Sequence, residues 1–205
     1  MNSILDLSGV FCYAGFTNRT KKGVHMIYIS LLRGINVSGK NPLAMPHLKR
    51  MYQSLGFGNV QTYVQSGNVI CDAPPQDPEG LTKRIRCQIQ ETFGFDVPVI
   101  VRTDQEFQRI LKNNPFLAQR QENVDYLHVT FLAAPPSAER VQALIAIPQI
   151  GDEFVVIERE IYLFCPGGYG RTKFSNTFFE KKLEQAATTR NWKSVVALAS
   201  LAVVR

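Results

Sequence analysis

Residues 59–73, NVQTYVQSGNVICDA, read as two extended runs meeting at Ser66-Gly67, a β-hairpin. What flanks the hairpin decides the fold. Upstream, residues 26–33 (MIYISLLR) alternate Ile27, Ile29 and Leu31 with Tyr28 and Ser30, the period of a strand. A glycine-rich turn follows, and residues 46–55 then read as a helix closed by Gly56. Downstream, Pro74, Pro75 and Pro78 break the chain before a second helix over residues 81–93. Its Leu81, Ile85, Ile89 and Phe93 recur at steps of four and form one apolar stripe. Gly94 stops that helix, and residues 97–102 (VPVIVR) read as a fourth strand. The order is β-α-β-β-α-β, the split βαβ arrangement.

A second series follows the first. Asp104 is expected to cap a linking helix over residues 105–112, which ends at Asn113-Asn114-Pro115. Residues 126–132 (YLHVTFL) alternate as the first strand does. Ser137 caps a helix running to Ile145, and residues 153–157 and 160–164 pair about Glu158-Arg159. Ser175 caps a helix reaching Leu183, residues 187–191 are extended, and a last helix starts at Trp192. The second half thus repeats the topology of the first with little residue identity. The expected class is α+β: two ferredoxin-like (α-β plait, βαββαβ) subdomains in tandem, over residues 26–104 and 125–205. Residues 105–124 form the linking helix and loop, and residues 1–25 a short N-terminal appendage. Ile27, Ile29 and Leu31, with Leu127, Val129 and Phe131, are expected to face helices. Tyr28, Ser30, Tyr126, His128 and Thr130 are expected to face outward or toward the other half.

The composition is that of a globular protein: 205 residues, 45% hydrophobic and 20% charged, which excludes a disordered or collagen-like chain. The net charge of +6 makes an anionic partner worth seeking. It is spread evenly over residues 1–25, 26–104 and 105–205. Only residues 165–193 concentrate it, with Arg171, Lys173, Lys181, Lys182, Arg190 and Lys193 against Glu180 and Glu184. No apolar run approaches the roughly 20 residues that span a bilayer. The apolar start contains Asp6 and is followed, not preceded, by Arg19, Lys21 and Lys22, the reverse of a secretory signal. Cys12, Cys71, Cys87 and Cys165 form no C-x-x-C pair, which argues against structural zinc. Scattered cysteines without a secretory signal point to reduced, mostly buried thiols in a cytoplasmic protein without a membrane partner.

Two glycine-rich loops carry the candidate chemistry. Residues 34–41, GINVSGKN, match G-x-x-x-x-G-K, but Asn41 replaces the hydroxyl that a P-loop needs for magnesium, and Pro42 and Pro46 delay the helix. An anion cradle with Arg33 and Lys40 is one reading, a tight solvated turn the other. Residues 165–176, CPGGYGRTKFSN, place Tyr169 where it could stack, with Arg171 and Lys173 able to pair with phosphate. Residues 187–192, ATTRNW, add two hydroxyls, Arg190, Asn191 and the only Trp, a mixture suited to a nucleotide or equally to a cap and a buried aromatic anchor. Ser66-Gly67-Asn68 is most simply a turn. No Ser-His-Asp order, nucleophile elbow or H-E-x-x-H is present, and of the three histidines only His128 lies in a strand. The third strand lacks the aromatics of an RNA-recognition module. Neither a metal nor a cofactor is implied.

The blocks LLRGINVSGKN, QTYVQSGNVI, FGFDVPVIVRT, LHVTFL, GDEFVV, IYLFCPGGYGRTKFSN and ATTRNW, in unbroken order from Met26 to about Ala202, resemble the bacterial domain-of-unknown-function family 1697. The resemblance implies two α-β plaits side by side. It implies no activity and no catalytic residue. The family's usual polar positions fall here at Arg33, Gly34, Asn36, Ser66, Gly67, Asn68, Tyr169, Gly170, Arg171, Asn176, Thr189, Arg190, Asn191 and Trp192. Without the three glycines, and with Lys40 and Lys173 added, these make the candidate ligand site. The expected function is a phosphate-recognising module for a nucleotide, nucleic acid or small anionic ligand. One alternative is an enzyme acting on a small anion at a cleft between the halves, with His128, Tyr28 and Tyr126 as acid-base groups. The other is a protein-interaction or structural role.

Overall fold

The structure is a computed structural model that describes residues 25–37 and 39–204. The expected appendage, His25 apart, lies outside the described residues. The first half comprises β1 (Met26–Leu32), α1 (Met45–Ser54), β2 (Gly58–Tyr63), β3 (Asn68–Ala73), α2 (Pro78–Phe93) and β4 (Val99–Thr103). After α3 (Asp104–Lys112) and α4 (Pro115–Arg120), the second half runs β5 (Leu127–Leu132), α5 (Ala138–Ile145), β6 (Glu153–Ile157), β7 (Glu160–Phe164), α6 (Asn176–Leu183), β8 (Ala187–Asn191) and α7 (Trp192–Val203). Two four-stranded sheets result, ordered β2-β3-β1-β4 and β6-β7-β5-β8, antiparallel at every pairing. The chain is therefore α+β with one sheet in each half.

Local chemistry explains the boundaries. The Asp77 carboxylate accepts from Gly80 N to start α2, and Gly94 ends it in the left-handed conformation at φ 78°. Thr103, not Asp104, caps α3. Its hydroxyl accepts from Glu106 N while the Glu106 carboxylate accepts from Thr103 N, a complete capping box. The stop at Asn113-Asn114-Pro115 is also a start. Asn114 accepts from Phe116 N and Pro115 occupies the first turn of α4, a helix absent from the sequence expectation.

Apolar side chains fill three layers. Tyr28, Leu32, Val69 and Cys71 of the first sheet pack under α1 and α2, against Leu48, Tyr52, Ile85 and Ile89. Leu132, Ile161 and Leu163 of the second sheet, with Cys165 just beyond it, pack against Leu144, Phe179 and Leu183 of α5 and α6. The opposite faces share one middle layer. Ile29, Leu31, Ile70 and Ile100 of the first sheet join Leu127, Val129, Phe131 and Tyr162 of the second there, with Phe107 and Ile110 of α3, Phe116 of α4, and Trp192, Val195 and Leu198 of α7 between them. Each such fully buried side chain contributes roughly 1.5–3 kcal/mol. The alternation expected for β1 is real, but its assignment is corrected. Tyr28 and Ser30 are buried rather than outward-facing, because helices cover both faces of the sheet. Thr130 is likewise buried.

Among the described residues, no helix is long and apolar enough to cross a membrane, and no group of His, Cys, Asp and Glu could hold a metal ion. Cys71 and Cys165 are buried and Cys87 is exposed. Burial, the largest cause, raises the Cys165 thiol to about 11, which makes it a poor nucleophile at neutral pH.

Candidate functional site

Arg190, on β8, organises the seam between the halves. It is 7% exposed. Its Nε donates to Asn68 Oδ1 at 2.6 Å, and one terminal nitrogen donates to Thr188 Oγ1 at 2.7 Å and Thr189 O at 2.9 Å. The other donates to Leu32 O at 2.8 Å and Ser66 O at 3.0 Å. All five guanidinium N–H groups are thus used. None of the acceptors is a carboxylate. Burial, with the neighbouring Arg33 charge, lowers the pKa of Arg190 to about 10, so the group remains cationic at neutral pH.

Arg33 leaves the end of β1 and grips Glu180 of α6 with two bonds of 3.0 and 3.1 Å. Glu180 Oε1 also accepts from Ala187 N at 3.2 Å, which ties the first glycine-rich loop to α6 and β8. Beneath the second loop, Tyr169 donates to Thr189 Oγ1 at 2.9 Å, and Thr189 donates to Asn176 Oδ1 at 2.7 Å. Thr130 Oγ1 lies 2.7 Å from the same hydroxyl. The His128 ring stacks on Tyr169, with centroids 4.8 Å apart and planes at 22°. Burial holds His128 below its ordinary pKa and Tyr169 above its own, so both are neutral at physiological pH.

Other expected residues serve the scaffold. Asn36, at φ 53°, donates to Leu43 O and Gln65 O and accepts from Leu43 N, which staples the GINVSGKN loop to the hairpin. Ser66 Oγ accepts from Asn68 Nδ2. Asn191 caps α7 through Ser194 N, and Trp192 is buried in the middle layer. Lys173 donates to Pro148 O at 2.8 Å. Lys40 and Arg171 are exposed. The basic stretch of residues 165–193 does not lie on one surface, since Arg190 is interior and Lys193 pairs with Asp125 at 2.6 Å. Arg33, Ser66, Asn68, Tyr169, Asn176, Thr189 and Arg190 do converge on one seam.

The acid-base groups of the enzyme reading do not converge. Tyr28 packs under α1 and α2 with its hydroxyl accepting from Gln76 N, Tyr126 meets Phe164 edge-on, and His128 lies under Tyr169.

The sequence reading missed a second arginine. Arg102 of β4, 1% exposed, donates through Nε to Glu160 Oε1 at 2.9 Å, and through its terminal nitrogens to Val101 O at 3.0 Å and Leu132 O at 2.7 Å. Leu132 ends β5 as Leu32 ends β1, and Glu160 opens β7 as Asn68 opens β3. Arg102 therefore does toward the second half what Arg190 does toward the first. The available signal was an arginine next to last in a strand that runs into a helix cap, Arg102-Thr103 in one half and Arg190-Asn191 in the other.

A solved structure described as "The structure of conserved bacterial protein SP0830 from Streptococcus pneumoniae" superposes with a TM-score of 0.70 at 20% identity, over 87% of this chain and 99% of that one. At that identity the likeness is one of fold. No curated protein matches the sequence. Residues 26–162 match the family described as "Protein of unknown function (DUF1697)", which takes in all of the first half and the second as far as β7, and the chain belongs to that family.

Proposed function

We propose that the protein is a phosphate-recognising binding module whose ligand, a nucleotide or a nucleic-acid strand, sits on the seam where the two glycine-rich loops meet. One observation carries this reading. Among the described residues no carboxylate pairs with the buried cation Arg190, which lies beside an Arg33 whose charge Glu180 already balances. The seam therefore holds surplus positive charge in a setting of reduced dielectric, where it acts farther than it would in water. Lys40 and Arg171, exposed on the two loops, are proposed as the cations that reach the anion. Arg190, with every donor committed, supplies field and scaffold. This reading also takes each half as a ferredoxin-like α-β plait, supported by the antiparallel 2-3-1-4 strand order in both sheets. It keeps the division at residues 26–104, 105–124 and 125–205, and a cytoplasmic setting in keeping with the buried thiols.

The test is calorimetric titration of the full chain with ATP and with a short single-stranded oligonucleotide at two salt concentrations. We expect affinity that falls steeply with salt, and a loss of about tenfold on Arg171→Ala, the size of one charge-assisted hydrogen bond. Affinity indifferent to both salt and Arg171→Ala overturns the reading.

A further inference from the structure

The seam has a counterpart on the other side of the molecule, and there it is open. In the second half, the space between α6, β8 and the residue after β1 is filled by Arg33, Glu180 and the backbone of Ala187. The corresponding space in the first half lies between α2, β4 and the residues after β5. The backbone confirms the equivalence. Arg33 N donates to Pro98 O just before β4, and Ala133 N donates to Ala186 O just before β8. Where the first half contributes Arg33-Gly34, the second contributes Ala133-Ala134, whose methyl groups cannot reach across as Arg33 does. A groove of about 280 Å³ remains, at the small end of ligand-binding cavities.

Its lining is amphipathic. The strand side presents the edge of Val99–Val101, whose side chains are themselves buried, Pro78, Ala133 and Ala134 supply apolar surface, α2 contributes Thr82, Lys83 and Arg86, and Arg159 closes one end. Arg86 engages Asp96 through Nε and one terminal nitrogen. Arg159 engages Glu106 through a single terminal nitrogen, so both guanidinium groups keep further donors. Among the described residues Lys83 makes no ion pair. Against these three cations, Glu79 is the one carboxylate of the lining.

We propose that this groove is a second ligand site, separate from the seam, which takes a small carboxylate with an apolar body: the body against Pro78, Ala133 and Ala134, the carboxylate toward Lys83 and Arg159. Charge complementarity and the small apolar surface of Pro78, Ala133 and Ala134 in a space of this size select such a molecule over a neutral or cationic one of the same shape.

The test uses octanoate as probe, with octylamine and octanol as controls, titrated calorimetrically against the full chain. Saturable binding is expected for octanoate, with at least tenfold weaker binding of both controls. Ala134→Trp, at an exposed position where the fold tolerates bulk, fills the groove and should abolish binding with the unfolding midpoint unchanged. Lys83→Glu should weaken octanoate at least tenfold and reduce its advantage over octylamine. Arg171→Ala, at the seam, should leave octanoate binding as it is. The proposal falls if octanoate fails to bind saturably, if octylamine binds equally well, or if Ala134→Trp retains wild-type affinity.

Discussion

Arg102 and Arg190 make the same reach in opposite directions and end on different chemistry. Each leaves the fourth strand of its own sheet, crosses to the other half, and donates to the carbonyl that ends the first strand there, at 2.7 Å for Arg102 and 2.8 Å for Arg190. Each also bonds the first residue after the opposing hairpin turn. For Arg102 that residue is Glu160, and for Arg190 it is Asn68. A carboxylate thus meets one guanidinium and an amide the other, in matching positions. Burial pushes Glu160 above the ordinary carboxylate range and Arg102 below the ordinary guanidinium range, which the pairing between them offsets only in part. The junction therefore depends on the planar fork of donors reaching several carbonyls more than on ionic attraction.

The comparison can be broken most forcefully at Arg190. Arg190→Ala strands Leu32 O, Ser66 O and the Asn68 amide in a dry interior, and a loss of about 3–5 kcal/mol is expected in denaturant unfolding. Arg190→Lys should recover little of it, because an ammonium cannot span five acceptors. A loss below about 1 kcal/mol for Arg190→Ala would show that the clamp is incidental.

The hairpin turns sharpen the contrast with a smaller effect. Gly67, at φ 73°, lies so close to the first loop that an added Cβ would come within 2.6 Å of Ile35 Cδ1 and 2.7 Å of Leu32 Cβ. Gly67→Ala should cost about 3 kcal/mol through combined strain and overpacking. The opposing turn carries Glu158-Arg159, and Arg159→Ala, at a partly exposed ion pair, should cost no more than about 1 kcal/mol. Equal losses would erase the distinction between the turns.

The smallest effect belongs to Glu160→Gln, which rebuilds the Arg102 clamp in the style of its partner. Its change should stay within about 1 kcal/mol at neutral pH. Because the folded-state pKa of Glu160 lies above the unfolded one, the native protein binds the extra proton. Wild-type stability relative to Glu160→Gln should therefore be greatest at low pH and decline as pH rises through the folded value. Unfolding midpoints measured across that range, with the opposite slope, would mean that the ion pair and not burial governs the site.

Most of the elements were legible in the sequence because they depend on local signals: the alternation of Ile27, Ile29 and Leu31, the Ser137 and Ser175 caps, and the proline breaks around α2. Two kinds of feature were not. Asn114 and Pro115 both end one helix and start another, and the sequence reading took only the first role. The inward orientation of Tyr28 and Ser30 depends on helices covering both faces of the sheet, which alternation alone does not report. The candidate site was partly legible. Seven of its residues gather at one seam, but the roles of Arg190 and Asn36 follow from acceptors far away in sequence. Arg102 escaped notice because its partner, Glu160, lies 58 positions along the chain.

The middle apolar layer has a consequence for how the chain can be divided. Its members come from both sheets and from α3, α4 and α7. A fragment ending near Lys112 would turn the Ile29, Leu31, Ile70 and Ile100 face to water, and one starting near Asp125 would do the same with Leu127, Val129 and Phe131. Neither fragment is expected to fold on its own. The two halves, each with its own sheet, are expected to melt as one cooperative body, and an isolated half to recruit another surface in place of the one it has lost.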